Sequence, residues 1–244
     1  MVYTYDSKSY GRKSMRVRLP LPALMKWSPN LAYAIGLVAT DGNLSQDGRH
    51  ITLTSADKSL LQTFAKCLQK NSKITPNPKG GFPNSKPAYR IQFSDAKFYR
   101  SLIKIGLTPN KSLTIGRINI DNKHFRDFLR GHLDGDGSVI HYKDKYLTHL
   151  NKKYVYDRLF LYFISSSKKH LVWLRNEIFK LICIKGSLNV KTNKTRVAIH
   201  STYVLKFSTK EAKILLNWIY YKPDLPCLDR KYKIAKPFLQ QQSS

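Results

Sequence analysis

Asp41 and Asp136 each end an apolar stretch that contains small residues, and a glycine follows each of them. The two stretches read LAYAIGLVATDG (residues 31–42) and FLRGHLDGDG (residues 128–137). If they form helices that lie side by side, the two carboxylates meet at one end of the pair. Carboxylates in contact raise each other's pKa unless a cation lies between them. Mg²⁺ held by oxygen ligands meets that need, and it can activate water and stabilise a leaving alkoxide in phosphodiester cleavage.

An isolated Asp-Gly step is more often a turn or a helix end than a catalytic site. Here the two steps hold equivalent places in an internal duplication, which favours the functional interpretation. Such a duplication predicts a pseudo-two-fold architecture. The other matched blocks follow in the same order along both halves: 51–61 with 161–171, 89–97 with 203–211, and 109–112 with 228–231.

The duplicated unit also predicts the fold class. Each half reads as α-β-β-α-β-β-α, so we expect an α+β protein with two antiparallel sheets and helices on their outer faces. The polar faces of the sheets would stay open and form a long basic saddle. The predicted boundaries are a basic N-terminal arm (1–26), a first repeat (27–107), a crossover linker (108–122), a second repeat (123–236) and a C-terminal tail (237–244).

The first apolar stretch has the features of a helix that packs closely on another. Ser28 is a good N-cap for it, and we expect Gly42 to end it, as glycine commonly ends helices. Gly36 and Gly131 occupy the middle of the two stretches. Because glycine lets helix backbones approach each other, we expect these two residues to lie at the contact between the paired helices.

The charge of the chain is its most unusual property. It has 43 Lys and Arg residues against 15 Asp and Glu residues, a net charge of +28 and a pI near 10.1. A folded domain tolerates such self-repulsion best beside a polyanion, so we expect a nucleic acid partner, double-stranded DNA above all. No apolar run approaches the roughly 18 residues of a spanning helix, and residues 1–10 lack the apolar core of a secretory signal. No membrane partner is therefore expected.

The three cysteines are widely spaced, and no Cys-x-x-Cys pair occurs. This pattern argues against a disulfide framework and against a zinc site of the usual spacing. Cys67 and Cys183 lie among apolar helical residues, which predicts buried thiols. A reducing, intracellular compartment is the expectation that follows, and the pattern does not separate organelle, nucleus and prokaryotic cytoplasm.

Residues 34–42 (AIGLVATDG) and 129–137 (LRGHLDGDG) resemble the two signature helices of the LAGLIDADG homing endonucleases in their single-chain form. The resemblance extends over residues 27–236, although the first copy departs from the motif at Ala39 and Thr40. It implies a monomeric, site-specific DNA endonuclease that makes a double-strand break at a long recognition site. The implied cofactor is Mg²⁺ or another divalent cation such as Mn²⁺.

The same resemblance implies a set of metal ligands. Asp41 and Asp136 match the acid that binds metal in that family. The backbone carbonyls of Thr40 and Gly135, one residue earlier in each motif, would complete the ligation. All four positions lie at the ends of the two predicted helices.

The family also places a basic side chain near each metal, where it would polarise water or offset phosphate charge. The matching positions are Lys111 in the first half and Arg230 in the second, with Lys231 as a close rival of Arg230. We interpret Asp57 as the N-cap of its helix. Asp134 reads as a cap of the second motif helix rather than as a ligand.

Polar residues on the open strand faces are the expected DNA contacts, because a two-stranded ribbon fits the major groove, where Arg, Gln and His read base edges. More of them should contact phosphates than bases. The set consists of His50, Thr52, Thr54, Arg90, Gln92, Tyr142, Arg158, Tyr162, Lys191, Arg196, His200 and Lys206.

A protein of the same fold that binds without cutting is the alternative. It would be an intron maturase, with intron RNA as its partner, or a nucleic-acid-binding regulator. A descendant that has lost cleavage can lose either acid, so the retention of both Asp41 and Asp136 favours the endonuclease. Maturases can keep both acids, and the alternative stays open for that reason.

Overall fold

The computed structural model describes residues 25–77, 87–147, 153–194 and 199–239. Nearly all of the predicted N-terminal arm, residues 1–24, lies outside the described residues, as do residues 240–244 of the predicted tail.

Both halves contain seven elements in the predicted order, which confirms the α-β-β-α-β-β-α unit. The first half consists of α1 (Pro29–Thr40), β1 (Gly42–Leu44), β2 (His50–Ser55), α2 (Lys58–Cys67), β3 (Ile74–Asn77), β4 (Ala88–Ser94) and α3 (Ala96–Lys104). The second half consists of α4 (Phe125–Asp134), β5 (Ser138–Leu147), β6 (Lys153–Ser165), α5 (Lys168–Ile182), β7 (Ser187–Lys194), β8 (Ile199–Phe207) and α6 (Thr209–Ile219). A further helix, α7 (Asp229–Ala235), was not predicted.

The strands form two antiparallel sheets with the same connectivity, in the orders β1-β2-β4-β3 and β5-β6-β8-β7. Alternation along the strands sends one set of side chains into the core. In the first sheet Leu53 pairs with Ile91, and in the second Phe163 pairs with Leu205, and all four are fully buried. The residues between them point to the opposite face of each sheet, because side chains alternate along a strand.

The α1 helix begins as the sequence predicts and ends slightly earlier. The Ser28 hydroxyl accepts a hydrogen bond from the N–H of Leu31 at 3.2 Å. The last helical residue is Thr40, and Asp41 is the C-cap in right-handed helical conformation. The prediction that Gly42 ends the helix is wrong, since Gly42 already opens β1. Glycine is needed there for space, because a Cβ at Gly42 would lie 2.6 Å from the Cα of Val38.

The α1 and α4 helices touch backbone to backbone, which confirms the expected role of their glycines. A Cβ on Gly36 would lie 2.2 Å from the carbonyl oxygen of Phe128, and a Cβ on Gly131 would lie 2.1 Å from that of Tyr33. Real Cβ atoms never come this close to an oxygen. Because α1 is buried on every side between the two halves, the pair forms the centre of the core.

Two predictions about individual elements differ from the structure. Cys183 is exposed rather than buried, because α5 ends at Ile182 and Cys183 adopts a left-handed C-cap conformation with φ of 57°. Cys67 ends α2 and is half-buried. The second hairpin is longer than predicted: ten residue pairs join β5 to β6, whereas three join β1 to β2.

None of the helices in the described ranges combines the length and the apolar composition needed to cross a lipid bilayer.

Adding one methyl group at the helix contact should destabilise the fold. We expect Gly36→Ala to lower the free energy of unfolding by about 3 kcal/mol or more, because the new Cβ can be accommodated only by separating two backbones. Urea denaturation measures the change. Gly116→Ala is the matched control, since its Cβ would meet nothing within 4 Å. Equal effects of the two substitutions would contradict the close-contact account.

Candidate active site

Asp41 and Asp136 lie at the same end of the α1 and α4 pair, and each lies beside a residue of the other half. A Cβ on Gly135 would lie 3.2 Å from a carboxylate oxygen of Asp41 and 2.0 Å from the hydroxyl oxygen of Thr40. The carboxylate that follows α1 therefore lies over the turn that follows α4. Asp136 in turn lines a cleft together with Thr40. The expectation that both acids gather at one end of the pair holds in the structure.

Lys111 is a buried cation at this end of the pair. It is 6% exposed, and its ammonium donates to the carbonyl oxygen of Gly42, directly after the first acid. A lysine is seldom buried unless a partner neutralises or solvates its charge. Here the C-terminal end of α1 and the two acids supply negative charge.

Lys231, not Arg230, is the corresponding cation of the second half. Its ammonium donates to four backbone carbonyl oxygens at the end of α4, and the residue is 3% exposed. The acceptors and distances are Leu133 at 2.7 Å, Asp134 at 2.8 Å, Gly135 at 3.1 Å and Gly137 at 2.6 Å.

Arg230 lies on the outer side of α7 and does not reach the acids. Its side chain is 60% exposed, and its Nε donates to the carboxylate of Asp57 at 3.0 Å. The extra helix α7 explains why the buried cation is Lys231, one residue after the position that matches Lys111. Helix α7 turns Lys231 and Ala235 toward the core and Arg230 toward solvent, whereas Lys111 lies in a turn with no such helix.

Burial and mutual charge shift the pKa values of all four groups. Partial burial, followed by the charge of Asp136, raises the pKa of Asp41 to about 7 against the opposing effect of the two lysines. Part of Asp136 is exposed to solvent, yet the surrounding protein excludes enough water from its carboxylate to raise the pKa of Asp136 as well. Burial lowers the pKa of Lys111 and of Lys231 to about 8, although the acids oppose the shift.

A cleft of about 140 Å³ opens beside Asp136. Both halves line it, with Ala39, Thr40, Lys111, Ser112, Ile115, Asp136, Ser165 and Ser166. Among the described residues, no three His, Cys, Asp or Glu side chains are grouped to hold a metal ion. Mg²⁺ does not need such a group, because it is commonly held by one or two carboxylates, with water and substrate phosphates completing its shell. Two crowded carboxylates beside a polar cleft fit this pattern.

Comparison with known proteins agrees with this geometry. Residues 28–106 match the model of a LAGLIDADG-like domain family. No curated protein matches the chain. The match lies within the first half, and the helix and sheet of the second half repeat the fold of the matched half. The first half of the chain is therefore similar to a LAGLIDADG-like domain.

Solved structures of LAGLIDADG proteins share the whole fold. The I-LtrWI LAGLIDADG homing endonuclease bound to target DNA is 14% identical with a TM-score of 0.52, and the match covers 86% of this chain and 89% of that one. The LAGLIDADG meganuclease I-AabMI bound to uncleaved DNA is 12% identical with a TM-score of 0.52, covering 87% and 89%. Identities this low show the fold alone.

A further match is full-length DUF199/WhiA from Thermatoga maritima, with 16% identity and a TM-score of 0.48. The match covers 88% of this chain, which spans only 63% of the length of that protein.

Asp134 at the end of α4 is buried, and its interpretation as a helix cap is wrong. It is the last residue of α4, and its carboxylate accepts hydrogen bonds from the Tyr33 hydroxyl and the Leu228 N–H, each at 2.8 Å. Burial raises its pKa to about 6 against these bonds. Asp134 thus joins the motif helices to the segment that carries Lys231. Asp57 stands at the N-cap position of α2 as predicted, but its side chain makes no cap hydrogen bond.

A buried histidine pair beside the second motif escaped the sequence reasoning. His170 Nδ1 is 2.7 Å from the carbonyl oxygen of Gly116, so it carries the proton. Its Nε2 therefore accepts from His132 Nε2 at 3.0 Å. Burial lowers the pKa of both rings, that of His170 to about 4. The neutral pair fastens α5 and the crossover linker to α4, aided by the Ser167 hydroxyl, which donates to the carbonyl oxygen of Ile115 at 2.5 Å.

The predicted DNA contacts of the first sheet share the face opposite the core. Thr52 pairs with Gln92, and Thr54 pairs with Arg90, while Ile51, Leu53 and Ile91 point inward. His50 lies on the same strand as Thr52, and its Nδ1 contacts the carboxylate of Asp47.

The second sheet brings most of its predicted contacts onto one face as well. Tyr142 pairs with Arg158, and Tyr162 pairs with Lys206. Lys191 belongs to the same face, since it stands four residues from Ser187, the partner of Lys206. Arg196 lies outside the described residues. His200 belongs to β8, but its side chain is not described.

Lys231 is buried and the adjacent Arg230 is exposed, so substitutions of the two residues should affect stability differently. We expect Lys231→Met to lower the free energy of unfolding by about 3 kcal/mol, because it removes the donor of four carbonyl oxygens, three of them in buried hydrogen bonds. Arg230→Met should change it by about 0–1 kcal/mol, because its ion pair is exposed. Chemical denaturation of both variants measures the difference. A larger loss of stability in Arg230→Met than in Lys231→Met would contradict the buried position of Lys231 and the exposed position of Arg230.

Proposed function

We propose that this protein is a site-specific, divalent-metal-dependent DNA endonuclease that makes a double-strand break at a long recognition site. The observation that carries the proposal is the pair of crowded carboxylates, Asp41 and Asp136, each with a buried lysine beside it. A structural role alone gives no reason to hold two acids together with raised pKa values in a protein of this charge. Perturbed acids in a cleft are typical of catalytic sites.

In this proposal Asp41 and Asp136 hold Mg²⁺ or Mn²⁺, and the backbone carbonyls of Thr40 and Gly135 contribute further oxygens. A divalent ion bound there supplies an activated water and neutralises charge on the leaving oxygen. The acids fix the position of the ions because backbone contact between α1 and α4 fixes the acids. Since each acid lies against the turn of the other motif, each site draws on both halves.

The two lysines take the basic roles. With a pKa lowered to about 8, Lys111 and Lys231 stay largely protonated at neutral pH yet lie close enough to neutrality to exchange a proton. Their ammonium groups offset phosphate charge beside the acids. For Arg230, the residue that the motif alignment favours, we propose only an outer ion pair with Asp57.

Double-stranded DNA is the proposed substrate, lying across the open faces of the two sheets. The net charge of +28 favours a polyanion, and two solved proteins of this fold are bound to DNA. The proposed contacts are those predicted from the strands, from His50 to Lys206. Because both motifs belong to one chain, a monomer holds both sites.

A binding protein without cleavage, such as a maturase on intron RNA or a regulator, is the second candidate. One observation favours it. The Lys231 ammonium donates to Gly135, whose carbonyl is one of the proposed metal ligands, and to three neighbouring carbonyls. A cation that is already bound there competes with the metal ion for the same oxygen. Within the described part of the chain, Lys111 donates to one carbonyl, that of Gly42.

Cleavage of a plasmid library of candidate sites tests the proposal. With Mg²⁺ the protein should linearise plasmids that carry its site. Asp41→Asn and Asp136→Asn should each reduce cleavage by at least about 10³-fold, since each removes a metal ligand, while duplex binding survives. Gel analysis separates nicked from linear product.

Asp224→Asn is the matched control for these substitutions. Asp224 is exposed, and its φ of 57° is one that asparagine also adopts. Its cleavage should equal that of the unchanged protein. If the unchanged protein cuts nothing in Mg²⁺ or Mn²⁺ yet binds an intron RNA tightly, the endonuclease proposal fails and the second candidate holds.

Duplex binding should weaken steeply as salt rises, because phosphate contacts release counterions. Each phosphate contact contributes about −0.9 to the slope of log affinity against log salt concentration. We expect Lys191→Gln to make the slope less negative by about one unit and to lower affinity about equally for all duplex sequences. A loss confined to one sequence would instead identify Lys191 as a base reader.

A further inference from the structure

The open faces of the two sheets differ in chemistry, although the sheets have the same connectivity. The first open face carries hydrogen-bonding side chains, and none of its described residues is Phe, Tyr or Trp: Asn43, His50, Thr52, Thr54, Thr75, Arg90 and Gln92. The second open face carries Tyr142, Phe160 and Tyr162, which we call the aromatic row.

The aromatic row is not part of the core. Leu159, Leu161 and Phe163 alternate with it along β6 and are fully buried on the other face of the sheet. Tyr142 is 47% exposed, and the apolar residue opposite Phe160, Ile140, is 43% exposed. Large apolar side chains grouped on an open sheet face are typical of a binding surface.

The three rings are evenly spaced. The centroids of Tyr142 and Phe160 are 6.1 Å apart, and those of Phe160 and Tyr162 are also 6.1 Å apart. This interval is nearly twice the rise of about 3.4 Å between stacked bases in a duplex. A strand would therefore meet one ring per nucleotide only if it were unstacked and extended.

Cations accompany the row on the same face. The ammonium of Lys206 is 4.2 Å from the centroid of Phe160 and 5.9 Å from that of Tyr162. Arg158 lies beside Tyr142 in the pairing, with its charge partly shared by Asp144 at 3.2 Å. Flat apolar rings interleaved with positive charge suit a ligand that has planar bases and a negative backbone.

An intact duplex cannot use the faces of these rings, because its bases are stacked on each other and present only their edges in the grooves. Unpaired bases can stack on aromatic side chains, and a four-stranded sheet with exposed rings is one of the established ways to hold them. We propose that the aromatic row binds unpaired nucleotides of a single-stranded nucleic acid by stacking, with Lys206 on the backbone phosphates.

The inference concerns binding and does not depend on cleavage. An RNA strand and a DNA strand both offer the required chemistry, so each is a separate arm of the test. The probes are fluorescently labelled oligouridylate and oligothymidylate of about 12 nucleotides, within the range that single-strand sites cover. A GC-rich duplex of equal length is the third probe. Fluorescence anisotropy is measured with EDTA present, so that failure of the endonuclease proposal does not affect the result.

The triple variant Tyr142→Leu/Phe160→Leu/Tyr162→Leu removes the rings and keeps the apolar character. We expect its affinity for at least one single-stranded probe to fall at least about fivefold for each ring that is lost. The salt dependence should stay the same, since no charge is removed, and the loss of duplex affinity should be smaller than the loss of single-strand affinity, because a duplex does not expose its base faces to the rings. The arm that responds, RNA or DNA, identifies the strand.

The matched control is the triple variant Tyr142→Phe/Phe160→Tyr/Tyr162→Phe, which keeps every ring and should bind single strands like the unchanged protein. Equal losses in the two triple variants would overturn the proposal, as would unchanged single-strand binding in the leucine variant. Circular dichroism verifies that both variants fold.

Photocrosslinking of the unchanged protein keeps the proposal testable if the leucine variant does not fold. Oligonucleotides that carry a halogenated pyrimidine should crosslink to peptides that contain Tyr142, Phe160 or Tyr162. Crosslinks confined to the first sheet or to the helices would overturn the proposal.

Discussion

The contact between α1 and α4 is the constraint on which the rest of the structure depends. At Gly36 and Gly131 the two backbones approach so closely that no side chain fits between them. This contact joins the two halves through the centre of the core and carries both motif ends to one place. The position of each acid relative to the other is thereby a property of helix packing, which is rigid, and not of a loop.

Gathering charge at that place has an electrostatic cost, and the chain offsets it with its own cations. Burial raises the pKa values of Asp41 and Asp136, and the charge of Asp136 adds to the shift of Asp41. Lys111 and Lys231 lower them again, and both lysines also bind carbonyl oxygens at the ends of the helices. The two sides are unequal, because Lys231 donates to four carbonyls whereas Lys111 donates to one. A pseudo-symmetric fold thus contains two sites with different surroundings.

The two halves share a fold, but the open faces of their sheets differ. The hairpin of β5 and β6 is much longer than that of β1 and β2, and its open face presents rings where the first sheet presents threonine and glutamine. Since the buried faces of both sheets are aliphatic and aromatic in the same alternation, packing fixes the fold and leaves the open faces free to diverge. The two halves therefore present different side-chain chemistry to a ligand.

The sequence by itself determined the repeat, the order of the fourteen elements in the two units, the glycine contact and the identity of the two acids. These follow from local patterns: alternation in strands, small residues on helices, and matched blocks. Only the tertiary structure decided that Lys231 rather than Arg230 reaches the second site, because the phase of α7 depends on packing. The burial of Asp134 and of the His132 and His170 pair was also decided there, since their partners are distant in sequence and no local pattern encodes such contacts.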